Sequence, residues 1–390
     1  MQQALEGMRI LDLGNYIAAP YAAMLLGDQG ADVIKVERRG GDPYRKIDAF
    51  VVLNRGKRSI TLDLKQAEGQ KIARDLAKQS DVLLENFKPG VADSFKMGYS
   101  QLSQLNPRLV YCSMSGFGER GPYRDKPGYD PIVESMACIF TDQGTANKPV
   151  YVVLPLASGY AALMSAFSVT TALLARETTG SGQLVEMPLL NAMVATGTAA
   201  LMTFPNVMRM MMSGDLDLPM GLGMPLYGLH KCKDGEWLFL ALGNPGFWTK
   251  FAVAVDHADW LVDPTFENAP MLLFPPKVYD VQRLVDELFL TRTREEWIDF
   301  LWAQEIPCAP AKRVDEYLDD PQIQANEMVV EIEEHKYGKV REIGIPVKMS
   351  LTPGKIKGPS PRLGEHTNEI LAELGYSTRK IEELREKKVV

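Results

Sequence analysis

The chain has 390 residues, of which 43 are Lys or Arg and 50 are Asp or Glu, so its formal net charge is −7. With 46% apolar and 24% charged residues, it is typical of a folded protein of about two or three domains, which excludes a disordered chain. An acidic chain without long basic runs lacks the surface that binds duplex nucleic acid or an anionic membrane, so we expect neither partner. The four cysteines lack the spacing of a zinc site or a disulfide framework, which favours a reducing cytoplasm.

No targeting or membrane segment is predicted. Glu6 and Asp12 interrupt the N-terminus where a signal peptide would be basic and then apolar. The most apolar stretch, Tyr160 to Ala175, has about sixteen residues, fewer than the roughly twenty that span a bilayer. We therefore expect a buried core helix there.

From Met8 the chain alternates short β-rich runs with helical ones. The predicted helices are Ala18 to Gln29 and Glu68 to Gln79, and the predicted strands are MRILDLG, ADVIKVE, SITLDL, DVLLENF and LVYCSMSGF. This alternation predicts an α/β fold whose parallel sheet is covered on both faces. Ligands of such sheets bind at the carboxyl ends of the strands, here after Leu13, Glu37 and Glu85.

The second half of the chain changes character. Two apolar helices are predicted at Tyr160 to Arg176 and Asn191 to Met212, followed by the linker-like run SGDLDLPMGLGMP. A hairpin pattern around Asp234 and Gly235 indicates that a smaller domain begins near Pro225. A charged helix, Ser377 to Lys388, closes the chain.

Several common sites are excluded by their missing motifs. The loop LGNYIAAP after the first predicted strand lacks the GxGxxG spacing, and GxxxxGK[ST] occurs nowhere in the chain, so dinucleotide and P-loop sites are not supported. Its four histidines show no HExxH spacing, and no metal site is expected. The absence of GxSxG excludes the nucleophile turn of an α/β-hydrolase.

Basic residues stand at two predicted strand ends. They are either solvated surface or a set that holds the phosphates of a nucleotide-like ligand by charge-assisted hydrogen bonds. A third strand end carries ENFKPG, whose amide and aromatic ring suit an adenine or a pantetheine arm. The basic residues are Lys35, Arg38, Arg39, Arg55, Lys57 and Arg58.

Seven segments, in order from Met8 to Ser377, resemble the class III CoA-transferases, the group that includes formyl-CoA transferase, carnitine CoA-transferase and the α-methylacyl-CoA racemases. The segments are ILDLGNYIAAP, LLGDQGADVIKVERRGGDPYR, NRGKRSITLDLK, DVLLENFKPG, NPRLVYCSMSGFGERGPYRDKPGYD, LLARETTGSGQLVEMPLLNA and PRLGEHTNEILAELGYS. The resemblance implies a Rossmann-like large domain, a smaller α/β domain and a dimer of interlocked rings. On that layout residues 5–200 are the first part of the large domain, 201–224 a linker, 225–330 the small domain and 331–390 a return segment.

The resemblance also implies a site for coenzyme A or acyl-CoA as substrate, with no permanently bound cofactor. It places CoA against the backbone of Ile17 and Ala18, and its arm beside Asn86 and Phe87, with Lys126 close by. The phosphates and the adenine are expected near Arg38, Leu62 and Lys65.

Three positions depart from the family pattern. Counted back from Arg176 in the RETTG turn, the nucleophilic Asp of the family falls on Ser158. A hydroxyl has no carbonyl to hold CoA as a thioester, and it is not ionised at neutral pH without a base. Ser94 stands where a phosphate-binding Arg is expected, and Tyr129 stands where racemases have His, which disfavours racemization more strongly than CoA transfer.

Three functions remain open. The first is the non-nucleophilic subunit of a heteromeric CoA-transferase, paired with an Asp-bearing homologue as in the benzylsuccinate CoA-transferases. The second is a homomeric enzyme that uses a ternary complex or recruits Glu134 in place of Asp. The third is a CoA-thioester binding protein without turnover. Arg120, Arg124 and Lys126 would favour a dicarboxylate such as succinyl, or are simply solvated.

Overall fold

The first part of the chain builds a six-stranded parallel sheet. The computed structural model describes residues 2–144, 147–197, 225–270 and 277–390. In the sheet the strand order is β3-β2-β1-β4-β5-β6, and each neighbouring pair runs parallel. The strands are β1 (Arg9–Asp12), β2 (Asp32–Glu37), β3 (Arg58–Thr61), β4 (Val82–Glu85), β5 (Val110–Ser113) and β6 (Leu184–Glu186). The predicted α/β architecture is confirmed.

The strand order places a crevice where a ligand is expected. After β1 the chain winds outward through β2 and β3 and then returns to the other side of β1 with β4. The connections therefore leave β1 and β4 in opposite directions, and the loops after these two strands border the crevice. Leu11 and Leu83, which are partners across this pair, are fully buried.

Helices cover the sheet, and the end of the chain returns to it. Ile370, Leu371 and Leu384, from two C-terminal helices, belong to the same buried cluster as Leu11 and Ile72. The helices of this part are α1 (Ala18–Asp28), α2 (Ala49–Leu53), α3 (Ala67–Lys78), α4 (Val91–Ser94), α5 (Tyr99–Leu105), α6 (Asp130–Met136), α8 (Leu156–Thr179), α9 (Leu189–Thr196), α15 (Thr367–Glu373) and α16 (Thr378–Glu386), with a 3₁₀ turn at Pro43–Lys46 and a hairpin of β10 (Val329–Glu334) and β11 (Gly338–Ile343).

Helix α8 is longer than the sequence indicates. It has 24 residues and begins at Leu156, so the argument that this stretch is too short to span a bilayer is wrong. By length and composition it is a candidate membrane span, and 44% of its most apolar window is buried. It contacts α1 and α9, and its buried Arg176 forms an ion pair with the partly buried Asp81 at 3.0 Å.

The chain divides into two compact units. Of the described residues, the first unit contains 2–137, 153–197 and 324–390, and the second contains 138–144, 147–152, 225–270 and 277–323. The predicted linker 201–224 and most of the predicted helix from Asn191 to Met212 lie outside the described residues, although residues 191–196 are helical in α9.

The second unit has its own sheet and core. The predicted hairpin around Asp234 is confirmed, because β7 and β8 pair in antiparallel fashion on either side of it. Its core is rich in aromatic side chains, among them Trp248, Phe251 and Phe289. Its elements are α7 (Ile139–Gln143), β7 (Tyr227–Lys231), β8 (Trp237–Ala241), α10 (Pro245–Ala254), 3₁₀ turns at Ala258–Leu261 and Pro264–Phe266, α11 (Lys277–Phe289), α12 (Arg294–Ala303), β9 (Cys308–Pro310) and α13 (Val314–Leu318), followed by α14 (Pro321–Ala325), which leads into the first unit.

Candidate functional site

The loops after β1 and β4 are joined by a pair of reciprocal hydrogen bonds. The backbone N–H of Asn15 donates to Asn86 Oδ1 at 2.9 Å, and Asn86 Nδ2 donates to the backbone oxygen of Asn15 at 2.7 Å. One amide side chain thus satisfies both backbone groups of the facing residue. We call this arrangement the asparagine clamp. It fixes the backbone that runs on into Ile17 and Ala18.

Buried charges support the same loop from below. Asp12 Oδ1 accepts from the N–H of Gly14 at 2.8 Å, and Lys35 Nζ donates to the carbonyl of Gly14 at 2.9 Å. Lys35 Nζ also lies 3.1 Å from Asp42 Oδ2, and Asp42 Oδ1 accepts from the N–H of Tyr16 at 3.2 Å. Tyr16 is held at a φ of 62°, a left-handed conformation that bulky residues rarely adopt.

A cavity of about 210 Å³ opens above this loop. It brings together Ile17, Ala18, Asn86, Phe87, Lys126 and Ser158, six of the residues that the sequence assigns to the site. Gly116 and Gly128 line it as well, and a Cβ on Gly116 would lie 2.5 Å from the Gly128 Cα, so this close backbone approach requires glycine. The rest of the lining is Asn15, Tyr16, Lys88, Pro89, Met114, Arg124, Tyr129, Asp130 and Leu189.

Ser158 faces the carboxylate of Asp130 in this cavity. Its hydroxyl donates to Asp130 Oδ2 at 2.8 Å, and its backbone N–H donates to Asp130 Oδ1 at 2.7 Å. Ser158 lies in the first turn of α8, where backbone N–H groups lack partners within the helix, and Asp130 from α6 supplies one. No His or Lys side chain is recorded within hydrogen-bonding distance of the Ser158 hydroxyl in the described part of the chain.

Glu134 does not lie in the cavity. Its Oε1 accepts from the N–H groups of Leu156 and Ala157 at 2.8 and 3.3 Å, and its side chain is buried. Burial raises the pKa of its carboxyl, and the charge of Asp130 adds to that rise. As a recruited nucleophile Glu134 is therefore a poor candidate, because its carboxylate caps the start of α8.

The residues expected at the phosphates and the adenine lie at the ends of β2 and β3. Arg38 is exposed, and its Nε donates to the carbonyl of Gly41 at 3.0 Å. Lys65 is exposed too. The side chain of Leu62 is 1% exposed and belongs to the core, so only its backbone can face a ligand. None of the three lines the cavity described above.

Most of the basic residues at the predicted strand ends are buried in ion pairs. They are therefore neither a solvated surface nor available to bind phosphates, and both predictions are wrong for them. Lys57 Nζ lies 2.8 Å from Asp12 Oδ2, and Arg55 pairs with Asp28 at 2.7 Å. Both are fully buried, as is Lys35. Burial lowers the pKa of Lys57 to about 8 despite the nearby Asp12. Arg58 pairs with Asp32 at 2.6 Å, which leaves Arg38 and Arg39 as the exposed pair.

The basic residues expected near the acyl group differ in whether they reach the cavity and whether they are paired. Arg124 and Lys126 line the cavity, whereas Arg120 does not. Arg124 is paired with Asp125 at 2.9 Å and with Glu119 at 3.6 Å. Lys126 makes no ion pair with any residue that the structure describes. Ser94, at the place of an expected Arg, donates to the carbonyl of Val91 within α4.

A buried acid lies beside the asparagine clamp. Glu85 ends β4 and is buried, and burial raises the pKa of its carboxyl to about 7, with a further contribution from the charge of Glu119. Its Oε2 accepts from the N–H of Phe87 at 2.7 Å. Among the described residues, no group of three His, Cys, Asp or Glu side chains is placed to hold a metal ion.

Sequence reasoning missed the parts of the site that act through backbone contacts. Asp42 positions both Tyr16 and Tyr44, since its Oδ1 accepts from both N–H groups. The signal was present, because an Asp followed by Pro43 is a common start of a short helical turn. Nothing in the local sequence shows that Asp130 meets Ser158, 28 residues further on.

Comparisons with known proteins show the family of the chain. A family model described as CoA-transferase family III matches residues 5–367. The chain is 31% identical, over 99% of its length and 98% of the relative, to the succinyl-CoA–L-malate CoA-transferase beta subunit of Chloroflexus aurantiacus. It is 32% identical to the succinate–glutarate CoA-transferase of Agrobacterium fabrum, over 95% of each chain. The crystal structure of a CAIB/BAIF family protein from Brucella suis superposes with a TM-score of 0.81 at 30% identity, covering 96% of this chain and 100% of that one.

Proposed function

The chain belongs to CoA-transferase family III, and we propose that it acts there as a non-nucleophilic subunit, moving CoA between an acyl-CoA and a carboxylic acid together with a homologous chain. The observation that carries this proposal is the hydroxyl of Ser158, bound to Asp130 at 2.8 Å in a cavity that brings together five of the eight residues expected to contact CoA. For one of the two acids between which CoA moves we propose succinate, because the names of two similar proteins contain succinyl-CoA or succinate.

The chemistry of CoA transfer explains why the hydroxyl matters. An enzyme carboxylate attacks the thioester carbonyl, which forms a mixed anhydride and releases the CoA thiolate. The thiolate then attacks the enzyme's carbonyl carbon of the anhydride, which gives an enzyme-bound CoA thioester and releases the donor acid as its carboxylate. The acceptor acid then repeats these steps in reverse. The serine side chain contains no carbonyl carbon of its own, so it cannot hold CoA as a thioester. A neutral hydroxyl whose hydrogen-bond acceptor is a carboxylate, which is a weak base, is also a weak nucleophile.

The remaining residues of the cavity support binding of CoA. The asparagine clamp fixes the backbone of Ile17 and Ala18 against Asn86 and Phe87, where we propose that the pantetheine arm lies. Lys126 is free to meet an anionic group. Arg38 and Lys65, which are exposed at neighbouring strand ends, are proposed contacts of the phosphates and the adenine, with the backbone of Leu62. A CoA-binding protein without turnover would use the same contacts.

A homologous partner would supply the missing carboxylate. The Chloroflexus relative is named a beta subunit, which is one ground for expecting a second chain. The other is the apolar side of α8, where Leu163, Phe167 and Leu174 are exposed. The assembly we propose is the interlocked-ring dimer, with this chain as one ring. The four unpaired cysteines suit a reducing cytoplasm, where we place it.

A second candidate rests on Asp130. Its carboxylate lines the cavity and lies next to Ser158, so this chain could form the anhydride with Asp130 and work as a homomer. Asp130 replaces Glu134 in that role, because Glu134 is buried at the start of α8. Against this candidate, both Asp130 oxygens already accept hydrogen bonds from Ser158.

Co-expression tests the two candidates. The chain would be produced alone and together with a homologue that has Asp at the position of Ser158, and CoA transfer from succinyl-CoA to an acid would be measured. The proposal expects activity only from the pair, and its loss when the homologue's Asp is replaced by Ala. Activity of the chain alone, abolished by Asp130→Asn, would establish the homomer instead. A pair that binds CoA but shows no CoA transfer would instead support a CoA-binding protein without turnover.

A further inference from the structure

We propose that Tyr16 and Tyr129 select an acyl group that carries an aromatic ring. This inference rests on the proposed function in one respect, that the cavity beside Ser158 takes the acyl end of an acyl-CoA. It concerns one of the two acids between which CoA moves, and the other acid can be a small one such as succinate.

Three tyrosine rings form a row, and two of them line the cavity. The rings of Tyr16 and Tyr129 are 6.3 Å apart with an interplanar angle of 85°, and those of Tyr16 and Tyr44 are 6.2 Å apart at 72°. Tyr16 and Tyr129 line the cavity together with Ser158. We call Tyr16, Tyr44 and Tyr129 the tyrosine row. Edge-to-face contacts of this kind are the arrangement that aromatic rings prefer.

The row is built into the fold rather than left on a mobile surface. Tyr16 adopts its left-handed backbone conformation because Asp42 accepts its N–H, and the same oxygen accepts the N–H of Tyr44 at 2.9 Å. Asp42 is itself buried and paired with Lys35. A bulky residue in a left-handed conformation persists only when its surroundings enforce it, and such residues cluster at functional sites.

The tyrosine row lies on the side of the cavity where the thioester would react. Tyr129 immediately precedes Asp130 at the start of α6, and Asp130 is bound to Ser158. Burial raises the pKa of the Tyr44 phenol, and the negative charge of Asp130 raises it further. An acyl group whose carbonyl lies at Ser158 would therefore extend toward these rings.

The exposure of the rings fits a ligand of matching chemistry. Tyr16 is 42% exposed and Tyr129 55% exposed, so each retains apolar area that an aromatic ring would cover, in addition to the ring-to-ring contact itself. A short aliphatic dicarboxylate would cover little of this area. The rings could instead be covered by a second subunit, and the test below separates these two cases.

Two CoA esters that differ by one phenyl group give the test. Binding of acetyl-CoA and phenylacetyl-CoA to the full chain would be measured by calorimetry, for the wild type and for the Tyr129→Ala and Tyr129→Phe variants. Tyr279→Ala is the matched control, because Tyr279 is equally exposed but lies in the second unit.

We expect phenylacetyl-CoA to bind about tenfold more tightly than acetyl-CoA, from aromatic contact and area burial. Tyr129→Ala should bring this ratio close to one, because it weakens the binding of phenylacetyl-CoA more than that of acetyl-CoA. Tyr129→Phe and Tyr279→Ala should keep the ratio. Equal binding of the two esters by the wild type would overturn the inference without any variant, as would equal weakening of both by Tyr129→Ala. If neither ester binds, the proposed function fails together with the inference.

Discussion

Ser158 stands at the position where the resemblance to the CoA-transferases places a nucleophilic Asp. Its hydroxyl and its backbone N–H both donate to Asp130. The pair stabilises the first turn of a long apolar helix, and neither group is left unsatisfied. In the proposed function, the residue that replaces the nucleophile thus also contributes to the fold.

Glu85 gives a prediction about stability at the same scale. Its carboxyl has a pKa of about 7 in the folded chain because it is buried, against about 4.3 in an unfolded chain. Between these two values the unfolded state loses its proton first, so the free energy of unfolding falls as the pH rises. A shift of this size corresponds to about 4 kcal/mol, all of which is lost above pH 7. Glu85→Gln can keep the hydrogen bond from Phe87 and should remove this loss.

Urea unfolding at pH 5 and pH 8 would measure the effect. The Glu85→Gln variant should exceed the wild type in stability at pH 8, and most of that difference should disappear at pH 5. Glu287→Gln, at an exposed ion pair with Arg283, is the control and should show no such trend. A gain that is the same at both pH values would show that Glu85 is not the titrating group.

The residue scale is also where sequence reasoning was least successful. Lys35 lies within β2, and Arg55 and Lys57 come just before β3. Their acidic partners are Asp42 after β2, Asp28 at the end of α1 and Asp12 at the end of β1. The role of Glu134 at the start of α8 cannot be predicted from its local sequence either, because it depends on a contact 22 residues along the chain. Local sequence does not contain such pairings.

Among the elements, the two loops joined by the asparagine clamp depend on each other. Leu13 N–H also donates to the carbonyl of Leu84 at 2.9 Å, so the ladder between β1 and β4 continues directly into the clamp. The loops were predictable as a ligand site, because strand order follows from the alternation of strands and helices and the ends of β1 and β4 meet at the crevice. The clamp itself was not, since it requires the exact spacing of the two strands.

Replacing Asn86 tests the clamp. Asn86→Ala removes both hydrogen bonds and should lower the free energy of unfolding by about 1–3 kcal/mol, because each net bond contributes about 1 kcal/mol. Binding of CoA should weaken as well, since the backbone of Ile17 and Ala18 loses its support. Asn86→Asp keeps the acceptor for the N–H of Asn15 and loses only the donor, so it should lie between the alanine variant and the wild type. Calorimetry with CoA and urea unfolding measure the two effects, and an alanine variant that binds CoA like the wild type would refute the role of the clamp.

Helix α8 illustrates the limit of periodicity. Its apolar middle was found from sequence, but its first turn was not, because that turn is capped by side chains of α6 rather than by a residue at its own start. An element whose cap comes from another helix begins earlier than its own sequence indicates.

For the whole molecule, the exposed side of α8 is the surface that most favours a partner. Phe167 is 73% exposed and Leu174 72% exposed, and a groove of about 460 Å³ beside them is lined by Leu5, Leu25 and Val347. Contiguous apolar surface of this kind on a folded chain indicates a protein interface. We propose that the homologous subunit covers it.

Phe167→Ser should weaken subunit pairing. Burying a Phe side chain contributes about 1.5–3 kcal/mol, so pairing should fall by roughly 10- to 100-fold. Native mass spectrometry or gel filtration over a range of concentrations would show this. Val262→Ser is the control, because Val262 is equally exposed but lies in the second unit. Unchanged pairing of the Phe167→Ser variant would place the interface elsewhere.

Trapping of the covalent intermediate on the isolated chain tests the central claim most directly. The wild type would be incubated with succinyl-CoA and treated with borohydride, which reduces an aspartyl or glutamyl thioester to an alcohol, and its peptides would be analysed by mass spectrometry. We predict no modification of Ser158, Asp130 or Glu134 in the isolated chain, and a modified Asp in the homologous subunit when the two are combined. A reduced carboxyl on Asp130 of the isolated chain, formed only with succinyl-CoA, would contradict the claim that this chain lacks the nucleophile.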